Sequence, residues 1–346
     1  MTDRIIDIYT HFMPPGHLER YQALGKEPGL AKRIASIPML HDLEARLRLV
    51  RSWEGYQQVL APAPPGPEKM GGAKDHAPLA RFINEGLAEV CRRYPDAFPA
   101  FVAAVPLHDA EAAIVEMDYA VTQLGARGAQ IYTNVSGLAL DAPKFEPLFA
   151  ALAALAALAA RGLPAFLHPA RPAAFADYAA EDASQYEIWQ VLGWPYETAA
   201  CVARLVFSGL MDRHPGLTIV THHLGGIIPY LEGRIGPLWD QLGTRTDGAQ
   251  GEAYGAILKS LKRRPVDYFR RLHADTAVGG SAGALRCGID FFGPERVMFA
   301  SDCPFDPEGG PGFIREGLRA LGQLDLPAEA RAAIQSGNAR AFLKIA

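Results

Sequence analysis

The chain has 346 residues, enough for two domains of about 150 residues or for one large barrel carrying insertions. Apolar residues at 49% and charged residues at 21% exclude a disordered, collagen-like or coiled-coil chain. The formal net charge of −4, from 34 Lys plus Arg against 38 Asp plus Glu, leaves no basic excess to neutralise a phosphate backbone, so nucleic acid is excluded as a partner.

Short apolar or β-branched runs alternate with helical stretches from end to end, the pattern of a parallel sheet built from βαβ units. In chain order the predicted strands are Ile5–Tyr9, Gln57–Ala61, Phe98–Pro106, Ala129–Thr133, Ala165–His168, Thr218–His222, Leu272–Asp275 and Val297–Ser301. The helices predicted between them include Leu79–Tyr94, Ala110–Leu124, the Ala-rich Leu148–Ala160, Glu197–Ser208, Ile227–Gln241 and Ala282–Phe291. Eight such units make a (β/α)8 barrel, which needs roughly 250 residues and leaves about a hundred for insertions. The reading is therefore one barrel domain over residues 1–346, with irregular insertions at about 12–40, 61–77 and 243–264. The first two follow a strand and so lie over the C-terminal face, where barrel enzymes keep their chemistry.

The longest apolar run, Leu148–Ala160, is too short for a bilayer, which takes about 18 residues, so no membrane partner is expected. Asp3 and Asp7 interrupt the stretch where an export signal would place its apolar region. Cys91, Cys201, Cys287 and Cys303 are far apart with no CxxC pair, which fits reduced thiols in a cytoplasmic protein.

Polar residues at strand ends carry the functional signal. Strand one closes with Asp7, Tyr9 and His11 at alternate positions, which alternation directs to a common centre. Strand five ends at His168, strand six at His222-His223, and strand eight at Ser301-Asp302. Imidazoles and a carboxylate meeting at one barrel mouth suit a divalent transition metal with open positions for water and substrate. His108 and His273 read instead as hydrogen-bonded structural residues.

The set Asp7-x-Tyr9-x-His11, Phe166-Leu167-His168-Pro169, His223-x-Gly225-Gly226 and Ser301-Asp302-x-Pro304 resembles the amidohydrolase superfamily. Within it, Gln130-Ile131-Tyr132-Thr133-Asn134, Gly193-Trp194-Pro195-Tyr196-Glu197-Thr198 and Asp275-Thr276-Ala277 look like the branch containing aminocarboxymuconate-semialdehyde and γ-resorcylate decarboxylases. The resemblance implies a mononuclear site, with His11, His168 and Asp302 as metal ligands, zinc before manganese, and His223 as acid/base. Strand four agrees on one metal, because it runs into Tyr132, Thr133 and Asn134 with no Lys to bridge a second ion. Tyr9 departs from the family, which has His or Glu there. It is a phenolate ligand, a hydrogen-bond donor behind the ligands or toward substrate, or the mark of a weakened site.

The reaction expected is non-oxidative decarboxylation of an aromatic or unsaturated carboxylic acid, a small-molecule substrate bound through its carboxylate and an adjacent oxygen. Alternation lets only one of His222 and His223 face the centre, and the spacing to Gly225-Gly226 favours His223. Arg46 is the candidate for a second substrate carboxylate, against a solvated helix face. Trp194 is the candidate to stack on an aromatic ring, and Tyr9 to face substrate. Two alternatives remain: a hydrolase of an amide, lactone or C–C bond using the same residues, and a barrel that has lost catalysis and acts as a binding protein. A homodimer is the default assembly.

Overall fold

All eight predicted strands form, and they run parallel around one closed barrel. In the computed structural model, which describes residues 4–25, 28–158 and 163–345, the strands are β1 (Ile5–Phe12), β2 (Tyr56–Pro62), β3 (Ala100–Phe101 and Ala103–Ala104, interrupted at Val102), β4 (Ala129–Tyr132), β5 (Ala165–His168), β6 (Ile219–Thr221), β7 (His273–Asp275) and β8 (Val297–Met298). Each pairs with its sequence neighbour. The break at Val102 passes β3 from one partner to the next: Val102 N–H donates to Leu60 O, and Ala103 N–H to Gly128 O. The ring closes where Ile8 N–H donates to Phe299 O at 2.9 Å and His11 N–H to Cys303 O at 2.8 Å.

These strands are apolar on both faces because both are covered. Ile6, Ile8, Val59, Ala100, Val102, Phe166, Val220 and Met298 fill the barrel interior. Ala339 and Leu343 of the last helix, Asn338–Leu343, join that cluster and cover the end opposite the strand termini that carry the site. Leu60, Ile131, Leu167, Ile219 and Phe299 pack outward against the helices.

Strict alternation fails in β1. Its pairing with β2 shifts between Asp7 and Thr10, a bulge that re-aims the residues beyond it. Asp7 therefore does not share a centre with Tyr9 and His11. It accepts hydrogen bonds from Tyr56 Oη at 2.6 Å, from Ser301 N–H at 3.1 Å and from Ser301 Oγ, tying β1 and β2 to the segment after β8.

Three predicted insertions change shape. Residues 12–40 hold the helices His17–Leu24 and Pro28–Ala35. The second narrows to 63–72, because β2 extends to Pro62 and the next helix starts at Ala73. The third, read as irregular, is largely the helix Gly248–Ser260. A further excursion, 169–192, follows β5 and runs over the same face. Residues 159–160 of the predicted Ala-rich helix, and Asp3, lie outside the described residues, while Glu146–Leu158 is helical. No described helix is long and apolar enough to cross a membrane.

Arg46 lies on the helix Leu43–Arg51, capped by Asp42. It does not reach solvent. It is fully buried, donating from Nε to Gln58 Oε1 at 2.6 Å, from Nη1 to Met39 O at 3.0 Å and from Nη2 to Cys303 O at 3.5 Å. Both readings of it, a substrate clamp and a solvated helix face, are corrected: the helix periodicity that places it inward is set by packing on β2. Arg46→Ala strands three acceptors in the core and is expected to lower stability by about 3 kcal/mol, measured by urea unfolding.

His273, at the start of β7, packs on Phe342 at 4.3 Å between ring centroids, away from the site. Burial, then repulsion from Arg296, push its imidazole down to about 4. The unfolded chain thus takes up this proton first, near pH 6.5, and stability is lost as pH falls from there toward 4. Between pH 7 and pH 5 the wild type is expected to lose about 2 kcal/mol more than His273→Gln in parallel urea titrations.

Candidate metal centre

The C-terminal ends of β1, β5, β6 and the segment after β8 bring His11, His168, His222, His223 and Asp302 together. Donor atoms of His11, His168 and His222 lie within 4.8 Å of one another, and so do those of His222, His223 and Asp302. Asp302 Oδ1 is 3.3 Å from both His11 Nε2 and His222 Nε2, and Oδ2 is 3.6 Å from His223 Nε2.

The outer nitrogens fix which way the rings present themselves. His11 Nδ1 faces Pro62 O at 2.9 Å and His168 Nδ1 faces Pro169 O at 2.7 Å. A carbonyl oxygen only accepts, so each Nδ1 carries the hydrogen and each Nε2 turns a lone pair inward. His222 Nδ1 is held by the Asp275 carboxylate at the end of β7. The inward atoms His11 Nε2, His222 Nε2 and Asp302 Oδ1 are buried and make no hydrogen bond. Lone pairs and a carboxylate facing one another in the interior are stable only around a cation. The residues present therefore fit one divalent ion, with imidazole nitrogens oriented by acceptors behind them.

Electrostatics agree. Burial, with His11, His222 and His223 nearby, holds His168 well below the usual imidazole range, so it is a neutral donor. Burial disfavours the Asp302 carboxylate, but the close approach of His11, His222 and His223 outweighs it and holds Asp302 well below the usual carboxylate range. Burial likewise lowers His222, yet Asp275 and Asp302 push it up to about 10, where a metal competes with the proton for Nε2.

The backbone is strained here: His223, Leu224 and Asp302 have φ of 54°, 55° and 61°. Left-handed conformations in non-glycine residues persist only where the surroundings impose them. The turn corrects the expectation that one of the two adjacent histidines must point away. β6 ends at Thr221 and His223 turns left-handed, so alternation no longer applies and both rings face Asp302, with centroids 3.8 Å apart. Gly226 permits the close pass: at φ 64°, a Cβ there would lie 2.4 Å from Pro195 O.

Tyr9 is fully buried and does not reach substrate space. Its ring stacks on His222, with centroids 4.1 Å apart and 16° between planes, and its Oη donates to Gln130 Oε1 at 3.1 Å. Burial pushes the phenol well above its usual range, and its hydroxyl is turned to Gln130 and not toward the histidine donors. Gln130 Nε2 in turn donates to Pro62 O, the acceptor that orients His11. Tyr9→Phe keeps the stack and loses one hydrogen bond; elemental analysis is expected to find the metal retained, with affinity lowered less than about 10-fold.

Trp194 opens the helix Gly193–Phe207 and forms one wall of a cavity of ≈360 Å³ beside the histidines. Gln190, Val191, Pro195, His223, Gly226, Ala277 and Val278 line the rest. The Trp194 ring is 5.5 Å from His168 and near-parallel to His223 at 6.4 Å. Asp275 and the cavity wall at 190–191 were missed from the sequence. The strand-end rule applied to β7 finds Asp275, whereas nothing local marks Gln190, which arrives on the long excursion after β5.

The family model described as amidohydrolase matches residues 6–345. The chain belongs to the amidohydrolase family. Its relatives include the γ-resorcylate decarboxylase of Rhodococcus jostii (strain RHA1), 33% identical over 319 residues, which cover 87% of this chain and 88% of that one. The 6-methylsalicylic acid decarboxylase of Penicillium expansum is 26% identical over 340 residues, 96% of this chain and 94% of that one. A dihydroxybenzoic acid decarboxylase structure from Polaromonas sp. JS666, with bound manganese and the inhibitor 2-nitroresorcinol, has the same fold: TM-score 0.77, 24% identity, covering 99% of this chain and 97% of that one.

Proposed function

We propose that this chain is a metal-dependent carboxy-lyase that removes carbon dioxide from an aromatic acid bearing a hydroxyl next to its carboxylate. The observation that carries the reading is the cluster of His11, His168, His222 and Asp302, with the inward atoms of His11, His222 and Asp302 unpartnered, beside a cavity walled by Trp194 and His223. Relatives named for γ-resorcylate and 6-methylsalicylic acid supply the substrate class. Zinc is the first choice for a nitrogen-rich donor set and manganese the second, the ion of the Polaromonas structure.

When bound, the ion supplies Lewis-acid binding of the substrate carboxylate and its neighbouring hydroxyl. Trp194 offers an aromatic face to the ring. His223 is the imidazole with access to the cavity, keeping 20% of its side-chain surface exposed. Burial and the neighbouring His222 hold it below the usual imidazole range, partly offset by Asp302 Oδ2 beside its Nε2, so a proton taken from solvent is readily given up. The His223 imidazolium gives that proton to the ring carbon bearing the carboxylate. The C–C bond then breaks, its electron pair restores the aromatic ring, and carbon dioxide leaves; solvent returns the proton to His223 through the cavity.

Incubation with 2,6-dihydroxybenzoate in D2O tests this. One carbon dioxide and one ring deuterium per product molecule are expected. Incorporation of solvent oxygen without carbon dioxide release overturns the reading in favour of hydrolysis. A cytoplasmic location and a homodimer belong to the same proposal, supported by four free cysteines and by the exposed apolar side chains of Tyr186, Val191, Leu192 and Tyr196.

A further inference from the structure

We propose that His222 is itself a metal ligand, supplied by β6 in place of the strand-one ligand that Tyr9 does not provide. The inference rests on the metal-dependent reading above and names which side chains complete its centre: His11, His168, His222 and Asp302.

His222 is the residue common to both constellations of donor atoms. Its side chain is fully buried, and its Nε2 makes no hydrogen bond while lying 3.3 Å from Asp302 Oδ1. The other ring nitrogen is committed to Asp275, the arrangement in which a ligating imidazole is held and its basicity raised. Tyr9 occupies the place from which β1 would offer a donor, but its hydroxyl is turned away to Gln130. What Tyr9 gives instead is a flat surface at 4.1 Å that fixes the His222 ring plane. His223 is the less suitable donor: it is partly exposed, lines the cavity with Trp194, and has no acceptor on Nδ1.

The exchange has a chemical consequence. Three neutral imidazoles and one carboxylate leave a divalent ion with a net positive charge. A nitrogen-rich set also favours zinc or cobalt over manganese.

The test uses cobalt(II) as the probe, loaded into metal-stripped wild-type protein and read by proton NMR in H2O and D2O. Each imidazole bound through Nε2 with its Nδ1 hydrogen held by an acceptor gives one strongly shifted, exchangeable resonance. Three such resonances are expected, from His11, His168 and His222, and all three are expected to persist in His223→Asn. Two resonances with one cobalt bound overturn the His222 assignment and leave the metal reading standing, as does loss of the third signal in His223→Asn. Failure of the wild type to bind cobalt overturns both. Affinity gives a second measure: His222→Ala is expected to weaken cobalt binding by roughly 100-fold or more, and Asp275→Asn by about 10- to 100-fold, while His223→Asn stays within about 3-fold.

Discussion

Asp302→Asn is expected to lower carbon dioxide release by at least about 10³-fold and to leave the purified protein without stoichiometric metal. The carboxylate approaches His11, His222 and His223, so it balances the charge at the centre of the donor set. An amide removes that charge without changing shape. The backbone does not confuse the result: φ of 61° at this position is one that Asn adopts more readily than most residues, so the turn after β8 is retained. A 10³-fold loss corresponds to about 4 kcal/mol of transition-state stabilisation. Full activity with metal retained would remove Asp302 from the centre.

His223→Asn is expected to separate proton transfer from metal binding. The proton donor to carbon contributes typically 10²- to 10⁴-fold, so kcat falls by that factor, while elemental analysis finds the metal still present. Asn again tolerates the left-handed φ of 54°. An unchanged kcat would assign the proton to another group at the cavity.

Much of this centre is legible from strand ends. In a sheet buried on both faces, a polar residue that closes an apolar run has few reasons to be there, and His11, His168 and Asp302 follow that logic directly. The errors arise where the chain stops being a strand. The bulge in β1 separates Asp7 from Tyr9 and His11, and the left-handed turn after Thr221 turns both histidines inward; neither bend is written in the alternation of side chains. Arg46 is misread for a different reason. A charged residue on a helix is judged by its usual exposure, whereas its three acceptors come from Met39, Gln58 and Cys303, the last far away in sequence. Asp275 closes its strand as the others do, but its role comes from His222 lying beside it.

Metal-dependent decarboxylation is tested most directly by following carbon dioxide release from 2,6-dihydroxybenzoate and related 2-hydroxybenzoates by one preparation as purified, after chelation, and after addition of zinc or manganese. Release that disappears on chelation and returns with the ion is the result expected. Undiminished release from protein stripped of metal would contradict the account, as would a metal-loaded protein that releases carbon dioxide from none of these acids.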